Sequence, residues 1–226
     1  MDTSKFQQVF DPMSVTAPIH IIGCGSVGST MAELLARYGL TNFHLWDFDK
    51  VERKNIANQM FFEQQVEMSK VDALAETLAN INEDCRTKMV KHPSGWQGEN
   101  LEGIVFLCVD NIDLRREIVK ANQYNVDVDV MFDVRTGLYD AQIYAARWSD
   151  VSEIKNLLRT MEFTHEEAKK ETPVSACGMT LGVAATVRLA VTVCVMNFMK
   201  YLNTGSVKKS IMVTTDLDVP GVVLAP

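Results

Sequence analysis

The sequence predicts an α/β protein with a doubly wound, mostly parallel sheet and an antiparallel C-terminal extension. An apolar run at residues 19–22 is followed by a glycine turn and then by apolar residues at helical spacing. A second apolar run, at residues 103–109, is also followed by a helical pattern. Strands that alternate with helices are typical of a parallel sheet covered by helices on both faces.

The remaining elements are predicted from the same periodicities and from the turn residues between them. They are, in chain order, a helix from about Gly28 to Gly39, a strand at 43–47, a short helix or turn within 50–67, a helix from Lys70 to about Asn82, strands at 87–92 and 103–109, a helix at 112–124, a strand at 128–134 and an antiparallel strand at 138–147. Residues 149–173 include the charged run EEAKKETP, which predicts an exposed helix and a mobile loop. An apolar helix at 176–202 and a strand at 208–217 follow.

Composition and charge limit the classes of function. The 226 residues are 47% hydrophobic and 23% charged, as in an ordinary globular protein, and the net charge of −7 argues against a general nucleic-acid binder. The five cysteines form no CxxC pair and the four histidines show no ligand spacing, so we expect neither a disulfide framework nor zinc. This cysteine usage and the polar N-terminus predict a cytoplasmic protein without a signal peptide.

The apolar stretch at 174–199 raises the question of a membrane span. Arg188 lies in its middle, and an arginine at the centre of a bilayer costs roughly 2.5–3.5 kcal/mol on insertion scales. Threonines and an asparagine also interrupt the stretch. We therefore expect a helix in the core or in a subunit interface, and no association with a membrane.

Residues 19–49 predict a Rossmann-like nucleotide site. Gly23, Gly25 and Gly28 have the order GxGxxG between the predicted strand and helix. Glycines there let the backbone turn tightly and approach a phosphate, and the helix N-terminus offers free amides to it. Asp47 ends the next strand, where an acid can accept hydrogen bonds from a ribose. The alternative is a tight glycine turn that binds nothing.

Two further charged residues bear on which nucleotide is favoured. Lys70 begins a predicted helix and Asp110 follows a predicted strand, so both are expected near the glycine loop. A carboxylate suits Mg²⁺ and a lysine suits phosphate, and nucleoside triphosphate chemistry uses both, whereas a dehydrogenase needs neither. The simpler alternatives are a solvated helix lysine for Lys70 and a helix N-cap for Asp110.

Four segments resemble motifs of the ThiF/MoeB/HesA family, whose adenylation domain is shared with ubiquitin-activating enzymes. GCGSVGS is similar to its glycine loop, and LWDFDKVERKN to its strand with a ribose-binding acid and an asparagine-containing turn. EMSKVDAL resembles the segment with its phosphate-binding lysine, and LCVDN the strand end with its magnesium aspartate. Order and spacing hold from about residue 19 to residue 116, and the resemblance is looser beyond.

The resemblance implies an adenylyltransferase that uses ATP and Mg²⁺. Its substrate would be the C-terminal carboxylate of a small ubiquitin-like or sulfur-carrier-like protein, or of a peptide, activated as an acyl-adenylate. Lys70 and Asp110 would have catalytic roles, with Asp110 as the Mg²⁺ ligand. The nucleotide-binding residues so implied are Gly23, Gly25, Ser26, Gly28, Asp47, Asn55, Lys70 and Asn111. The resemblance and the apolar helix at 176–202 both predict a homodimer.

The sequence departs from the family in its cations and its cysteines. Asn58 stands where the family usually has an arginine, three residues after Asn55. The zinc-binding CxxC pairs are absent, and so is a clear version of the N-terminal helix whose arginine can reach across a dimer. Arg53, Arg115 and Arg135 are the candidate cationic substitutes; without them, adenylation is expected to be weak or lost.

Cys177 is the candidate acceptor thiol. It precedes a long predicted helix, and a helix N-terminus lowers the pKa of a thiol. Its small neighbours Ala176 and Gly178 make plain packing the simpler alternative. Cys24, in the glycine loop, and Cys108, in a buried strand, are interpreted as structural.

We divide the chain into an N-terminal arm (1–18), a nucleotide-binding α/β core (19–147) and a C-terminal part of the same domain (148–226), which holds the charged crossover loop, the apolar helix and the terminal strand. No internal repeat or low-complexity linker separates these parts.

Three functions from different classes stay open at this point. The first is a ThiF-like adenylyltransferase. The second is a catalytically degenerate homologue that binds a nucleotide or a partner without turnover, and Asn58 favours it. The third is an NAD(P)-dependent oxidoreductase, which the GxGxxG turn with Asp47 favours and which Lys70 and Asp110 disfavour.

Overall fold

The structure, a computed structural model, describes residues 1–171, 182–216, 218 and 221–224. Its strands are β1 (Ile19–Ile22), β2 (Phe43–Trp46), β3 (Val90–His92), β4 (Gly103–Leu107), β5 (Val128–Thr136), β6 (Asp140–Arg147), β7 (Ser210–Thr214) and β8 (Gly221–Leu224). Its helices are α1 (Ser26–Arg37), α2 (Lys70–Ile81), α3 (Cys85–Lys88), α4 (Ile112–Asn122), α5 (Val151–Arg159), α6 (His165–Glu171) and α7 (Ala184–Thr204). Short 3-10 helices lie at Pro12–Ser14, Arg53–Ala57 and Glu63–Gln65.

All of the described strands belong to one eight-stranded sheet, in the order β3-β2-β1-β4-β5-β6-β7-β8. The pairs from β3 through β5 are parallel, and the pairs from β5 through β8 are antiparallel. This topology confirms the predicted doubly wound sheet with an antiparallel C-terminal extension. Strand β8 was not predicted, because its sequence GVVL is too short to show a period.

Helices cover both faces of the sheet. On one face of the sheet lie α1, α2 and α7, whose residues Met31, Leu74 and Phe198 are buried against it. On the other face lie α4 and α5, whose residues Ile118 and Leu157 are buried. All four residues of β1 are buried, as expected for a central parallel strand that is covered on both sides.

Several predicted boundaries were wrong by a few residues. Helix α1 begins at Ser26 rather than near Gly28, and β4 ends at Leu107 rather than residue 109. The third strand begins at Val90 rather than Thr87, because α3 occupies the preceding residues and its buried Cys85 holds that turn against the core. The first residues of the predicted apolar helix, 176–181, lie outside the described part of the chain.

The charged crossover is more ordered than its composition suggested. Instead of one exposed helix it forms α5 and then α6. Ile154 and Leu157 of α5 are buried. Glu153 is also buried, and its carboxylate accepts a hydrogen bond from the Arg147 amide at 2.8 Å, which compensates for its loss of water. The residues that follow α6, up to 181, are not described.

The predicted N-terminal arm contacts α1. Phe10 is buried, and the rings of Phe6 and Phe10 lie edge-on to Tyr38 with centroids 5.2 and 6.3 Å from it. These contacts attach residues 6–10 to the end of α1.

Helix α7 is long and apolar enough to cross a bilayer by length and composition, with a mean hydropathy of 1.2. Half of it is buried inside the fold, against α1 and the sheet. Asn197 is buried in α7, and its side chain exchanges two 2.8 Å hydrogen bonds with the Lys208 backbone. These contacts suit a core helix, and the absence of membrane association stays a prediction.

A row of aromatic rings crosses β1, β2 and β3. The His20 and His44 rings lie 4.6 Å apart, and the Trp46 and His92 rings stack 3.5 Å apart. The Trp46 indole donates a hydrogen bond to Nδ1 of His20 at 3.1 Å, which requires an unprotonated Nδ1. Burial, with the nearby His44 and His92, lowers the pKa of His20 to about 3. Burial also lowers the pKa of His44 and of His92.

Helix α4 is capped by Asn111. Its side-chain oxygen accepts hydrogen bonds from the amides of Asp113 and Leu114, at 2.9 and 3.2 Å. The alternative interpretation of Asp110 as the N-cap is therefore wrong, since the cap is the next residue.

We expect the free energy of unfolding to fall as the pH decreases from about 6.5 towards 3. In this window an unfolded His20 binds a proton that the folded protein excludes, so stability is present above the unfolded pKa and is lost below it. One such proton gives a slope of at most about 1.4 kcal/mol per pH unit. Urea unfolding of the wild type and His20→Asn at several pH values measures it, with His165→Asn as the control. Equal pH dependence in all three would contradict the account.

We expect Asn111→Ala to lower the free energy of unfolding by about 0.5–2 kcal/mol, because α4 loses its cap. Asp110→Ala should change it by no more than about 0.5 kcal/mol, since Asp110 is exposed. Denaturant titration compares the two variants. A larger loss in Asp110→Ala than in Asn111→Ala would show that the cap is assigned to the wrong residue.

Candidate functional site

A crevice of about 2040 Å³ lies beyond the carboxyl ends of β1, β2 and β4, the edge at which open α/β sheets bind ligands. The predicted site residues that line it are Gly23, Gly25, Ser26, Asp47, Asn55, Lys70, Asp110, Arg115 and Arg135. Gly28, Arg53 and Asn111 do not line it, and Cys177 lies outside the described residues. A cavity of about 350 Å³ between residues 14–17 and the end of α7 is lined by none of the predicted site residues.

Two glycines of the loop lie so close to other backbone atoms that no side chain would fit there. Gly23 has a φ of +93°, and a Cβ added there would lie 2.8 Å from the Val109 amide nitrogen. A Cβ added at Gly28 would lie 1.8 Å from the Gly23 carbonyl oxygen. A Cβ added at Gly25 would meet nothing within 4 Å, so this glycine leaves open space on the crevice side. The loop therefore has both the tight turn and the room that a phosphate requires.

The N-terminus of α1 opens onto the crevice. Its cap residue is Gly25, which has no side chain to accept hydrogen bonds from the first amides of the helix. Those amides and the positive end of the helix dipole favour an anion. The Ser26 hydroxyl donates to the Asn58 carbonyl at 2.8 Å, so any contact of Ser26 with a phosphate rests on its amide.

Asp47 holds the glycine loop against the end of β2. One of its oxygens accepts from the Cys24 amide at 2.7 Å, and the other accepts from the Asp49 amide at 2.8 Å. Burial raises the pKa of Asp47, and the charge of Lys70 and the two amides oppose that rise. Each carboxylate oxygen can accept more than one hydrogen bond, so these bonds leave the predicted ribose contact open.

Lys70 is not the solvated lysine of the simpler alternative. Its side chain is only 9% exposed, and Nζ lies 2.8 Å from Oδ2 of Asp49. The Lys70 amide also donates to the Asp49 carbonyl, at 2.9 Å. The sequence interpretation missed Asp49, although the acidic pair in WDFD was the signal that could have found it.

Asn55 is buried at the crevice rim, in the 3-10 helix Arg53–Ala57. Its Oδ1 accepts from the Glu52 amide at 2.8 Å, which fixes the side chain and leaves Nδ2 as its donor. Ala57, Asn58 and Gln59 also line the crevice, and the buried Oε1 of Gln59 has no hydrogen-bond partner in the described part of the chain.

Asp110 is exposed at the end of β4 and lines the crevice. No hydrogen bond or ion pair engages its side chain among the residues that the structure describes. Mg²⁺ usually binds through one or two carboxylates, waters and phosphate oxygens. A free carboxylate beside a phosphate-sized opening fits that donor set.

Arg115 and Arg135 line the crevice but are already held by a buried carboxylate. Asp133 is fully buried and pairs with both guanidinium groups. Arg115 also donates to the Leu107 carbonyl at 3.0 Å, and Arg135 donates to the Thr160 carbonyl at 2.7 Å. Neither arginine is a free substitute for the missing cation.

Arg53 is also no substitute at this position. It is exposed, pairs with Glu63 at 2.6 Å and does not line the crevice. The adjacent Lys54 does line it, and its Nζ lies 2.9 Å from Oε2 of Glu52. From the sequence we expected Lys54 near Lys70 but did not name it as a candidate substitute, because a run of alternating charges does not show which side chains face inward.

The cysteines near the crevice are buried. Burial raises the pKa of the Cys108 thiol to about 12 and that of Cys24 well above its usual range. Neither is a thiolate near neutral pH, which agrees with their structural interpretation. Within the described ranges, no group of three or more His, Cys, Asp or Glu residues is arranged to hold a metal ion.

Known proteins resemble this chain in sequence. The ThiF family profile matches residues 15–210. "Ubiquitin-like modifier-activating enzyme 5" of Drosophila virilis is 34% identical over 126 residues, covering 48% of this chain and 32% of that protein. The protein of the same name from Mus musculus is 36% identical over 120 residues, covering 46% and 30%. The matched part therefore spans about a third of these relatives.

Two solved structures share the fold over nearly the whole chain. The crystal structure of E. coli MccB with ATP has a TM-score of 0.70 at 17% identity, and covers 96% of this chain and 65% of that chain. The structure of PaaA has a TM-score of 0.67 at 15% identity, and covers 92% and 64%. These identities show the fold alone. Because the family profile matches well over half of the chain, including strands β1–β6 and the whole crevice lining, the chain belongs to the ThiF family.

Proposed function

We propose that this chain is an ATP- and Mg²⁺-dependent adenylyltransferase. Its substrate would be the C-terminal carboxylate of a small ubiquitin-like or sulfur-carrier-like protein, or of a peptide. The observation that carries the proposal is one crevice that holds the glycine loop, the Lys70–Asp49 pair and the free carboxylate of Asp110. The ThiF family membership supports the same class of reaction.

The reaction balances without an oxidant or a reductant. A carboxylate oxygen of the substrate attacks the α-phosphorus of ATP, and a bond forms between that oxygen and phosphorus. The bond from the α-phosphorus to the bridging oxygen breaks, and pyrophosphate leaves with the electron pair. Negative charge grows on the phosphoryl oxygens and on the pyrophosphate. The amides at the start of α1 and the ammonium of Lys70 are suited to stabilise it.

Asp110 is the residue that would hold Mg²⁺. The ion would supply positive charge to the phosphates, and the Asp110 carboxylate at the end of β4 would hold it. The rest of the donor set would be water and phosphate oxygens, as is usual for Mg²⁺.

The size of the crevice supports a second ligand beside the nucleotide. Its volume of about 2040 Å³ exceeds the roughly 300–1,000 Å³ that is typical of small-molecule pockets. The far end is lined by residues 136–140, at the turn between β5 and β6. An extended chain end has room to enter from that side and to reach the nucleotide.

A degenerate homologue that binds a nucleotide without turnover is the second candidate. Asn58 favours it, because Arg115 and Arg135 are held by Asp133 and do not replace the arginine that the resemblance puts there. This candidate predicts ATP binding without pyrophosphate exchange.

The structure also bears on assembly and compartment. We propose a homodimer with Met196 of α7 at its interface, because this side chain is 57% exposed and Leu189 and Val193 on the same side of the helix are only partly buried. We also propose a cytoplasmic location, on the cysteine usage of the sequence alone.

We expect Asp110→Asn to keep the fold and to lose ATP–pyrophosphate exchange. Exchange should be lost because a neutral amide is a poor ligand for a hard dication. The fold should be kept because the exposed Asp110 side chain has no hydrogen-bond or ion-pair partner among the described residues. The assay uses a small protein that ends in Gly-Gly as the carboxylate donor, alongside a melting curve, with Lys120→Gln on the outer part of α4 as the control. Exchange at the wild-type rate in Asp110→Asn would remove this residue from the mechanism.

Calorimetry distinguishes the candidates when no exchange is seen. Binding of ATP with Mg²⁺ but no exchange with any partner would support the degenerate homologue, and Asn58→Arg is then the substitution to try for rescue. Tight binding of NAD with no response to ATP would overturn both candidates.

We expect light scattering at micromolar concentration to give about twice the mass of the 25.3 kDa chain. Met196→Glu should shift the particle towards one chain, because it puts a charge on the proposed interface. Lys120→Glu, on α4 and therefore on the opposite face of the sheet, is the matched control. A wild-type mass of 25.3 kDa would contradict the dimer.

A further inference from the structure

The crevice has more negative than positive charge. Among the described residues that line it are eight carboxylates and four cations, which are Lys54, Lys70, Arg115 and Arg135. A nucleoside triphosphate adds several more negative charges, so a free cation at the rim would matter for its binding. Which of the four is free therefore decides how the phosphates are held.

Three of the four cations are held in place, Lys70 by its own burial and the two arginines by a buried partner. Lys70 is buried and paired with Asp49, and both arginines pair with the buried Asp133. Breaking the bonds to Asp133 would leave a buried charge without its partners, which is costly. These three cations have little freedom to turn towards a ligand.

Lys54 differs from the other three cations in its exposure, and from the two arginines also in having an exposed partner. Its side chain is 58% exposed, and so is that of Glu52, its single ion-pair partner in the described residues, at 2.9 Å. Exposed pairs of this kind contribute little to stability. A lysine has a long flexible stem and three donors, so it can leave such a partner for a phosphate at small cost.

The backbone around Lys54 is attached to the glycine loop. Ser26 at the start of α1 donates to the Asn58 carbonyl at 2.8 Å, and Ser29 accepts from the Met60 amide at 3.1 Å. Lys54 precedes the buried Asn55 in the same 3-10 helix. The segment that carries Lys54 is thus held next to the helix end that favours phosphate.

We propose that Lys54 binds the terminal phosphates of the nucleotide, and that Glu52 holds the same ammonium group while the crevice is empty. The inference rests on the proposed nucleotide site. The exposed rim position suits the phosphates farthest from the ribose, because Asp47 and the glycine loop lie deeper in the crevice. Lys54 thus takes over the charge that Asn58 does not supply, and Glu52 competes with the ligand for it.

Calorimetric titration of ATP with Mg²⁺ and of AMP tests the proposal. Lys54→Gln should weaken ATP binding roughly tenfold, the usual size of one charge-assisted hydrogen bond, and should leave AMP binding within about twofold. Glu52→Gln should tighten ATP binding roughly two- to fivefold, the range of an exposed ion pair. Lys54→Arg should keep most of the wild-type affinity.

Matched variants separate this effect from general charge. Arg53→Gln removes the same charge from the preceding residue, which pairs with Glu63 and does not line the crevice. It should leave the affinities for ATP and for AMP unchanged. In the double variant Glu52→Gln/Lys54→Gln, the gain from Glu52→Gln should disappear, because the group that Glu52 holds is gone.

The outcomes are distinguishable. ATP binding that is equal in the wild type, Lys54→Gln and Glu52→Gln would overturn this inference and leave the proposed function standing. Equal weakening of ATP and AMP by Lys54→Gln would also overturn it, since the contact would not be with the terminal phosphates. No ATP binding by the wild type would overturn the proposed function, and this inference with it.

Discussion

The site depends on one buried carboxylate, that of Asp47. Its two oxygens accept the amides of Cys24 and Asp49, so it joins the glycine loop after β1 to the acidic turn after β2. Asp49 in turn receives the ammonium of Lys70 and the first amide of α2. The glycine loop, the acidic turn and α2 are thus connected through Asp47 and its neighbour Asp49. Without that carboxylate, the buried amide of Cys24 and the half-buried amide of Asp49 would lose their partner, and the turn that shapes the phosphate-sized opening would lose its support.

The order of the core strands and helices was predictable because each has a strong local signal. The apolar runs of β1 and β4 and the periodic patterns of α1 and α2 appear within single windows of sequence. The predicted boundaries and the predicted cap were wrong where a contact with a distant residue, or a difference of one residue, determines the structure. Cys85 turns residues 85–88 into a helix by packing in the core, and Asn111 rather than Asp110 caps α4 because its oxygen reaches two amides. Strand β8 depends on its pairing with β7, which no local pattern shows.

The candidate site was predictable in its location but only partly in its charges. Glycine spacing and strand ends place Gly23, Asp47 and Asp110 at one edge of the sheet. Whether a cation is free depends on its partner, and partners come from elsewhere in the chain. Asp133 holds Arg115 from β5, and Thr160, after α5, holds Arg135. The sequence also did not distinguish Lys54 from its neighbour Arg53, because the 3-10 helix that places only Lys54 on the crevice has no sequence period.

Hydrogen–deuterium exchange with and without ATP and Mg²⁺ tests most directly the central claim, that a nucleotide lies on the glycine loop that Asp47 holds. The account predicts slower amide exchange at residues 23–29, at 47–58 and at the start of α2. It predicts no change at the smaller cavity between residues 14–17 and the end of α7. Slower exchange confined to that cavity, or no change anywhere at saturating ATP, would contradict it.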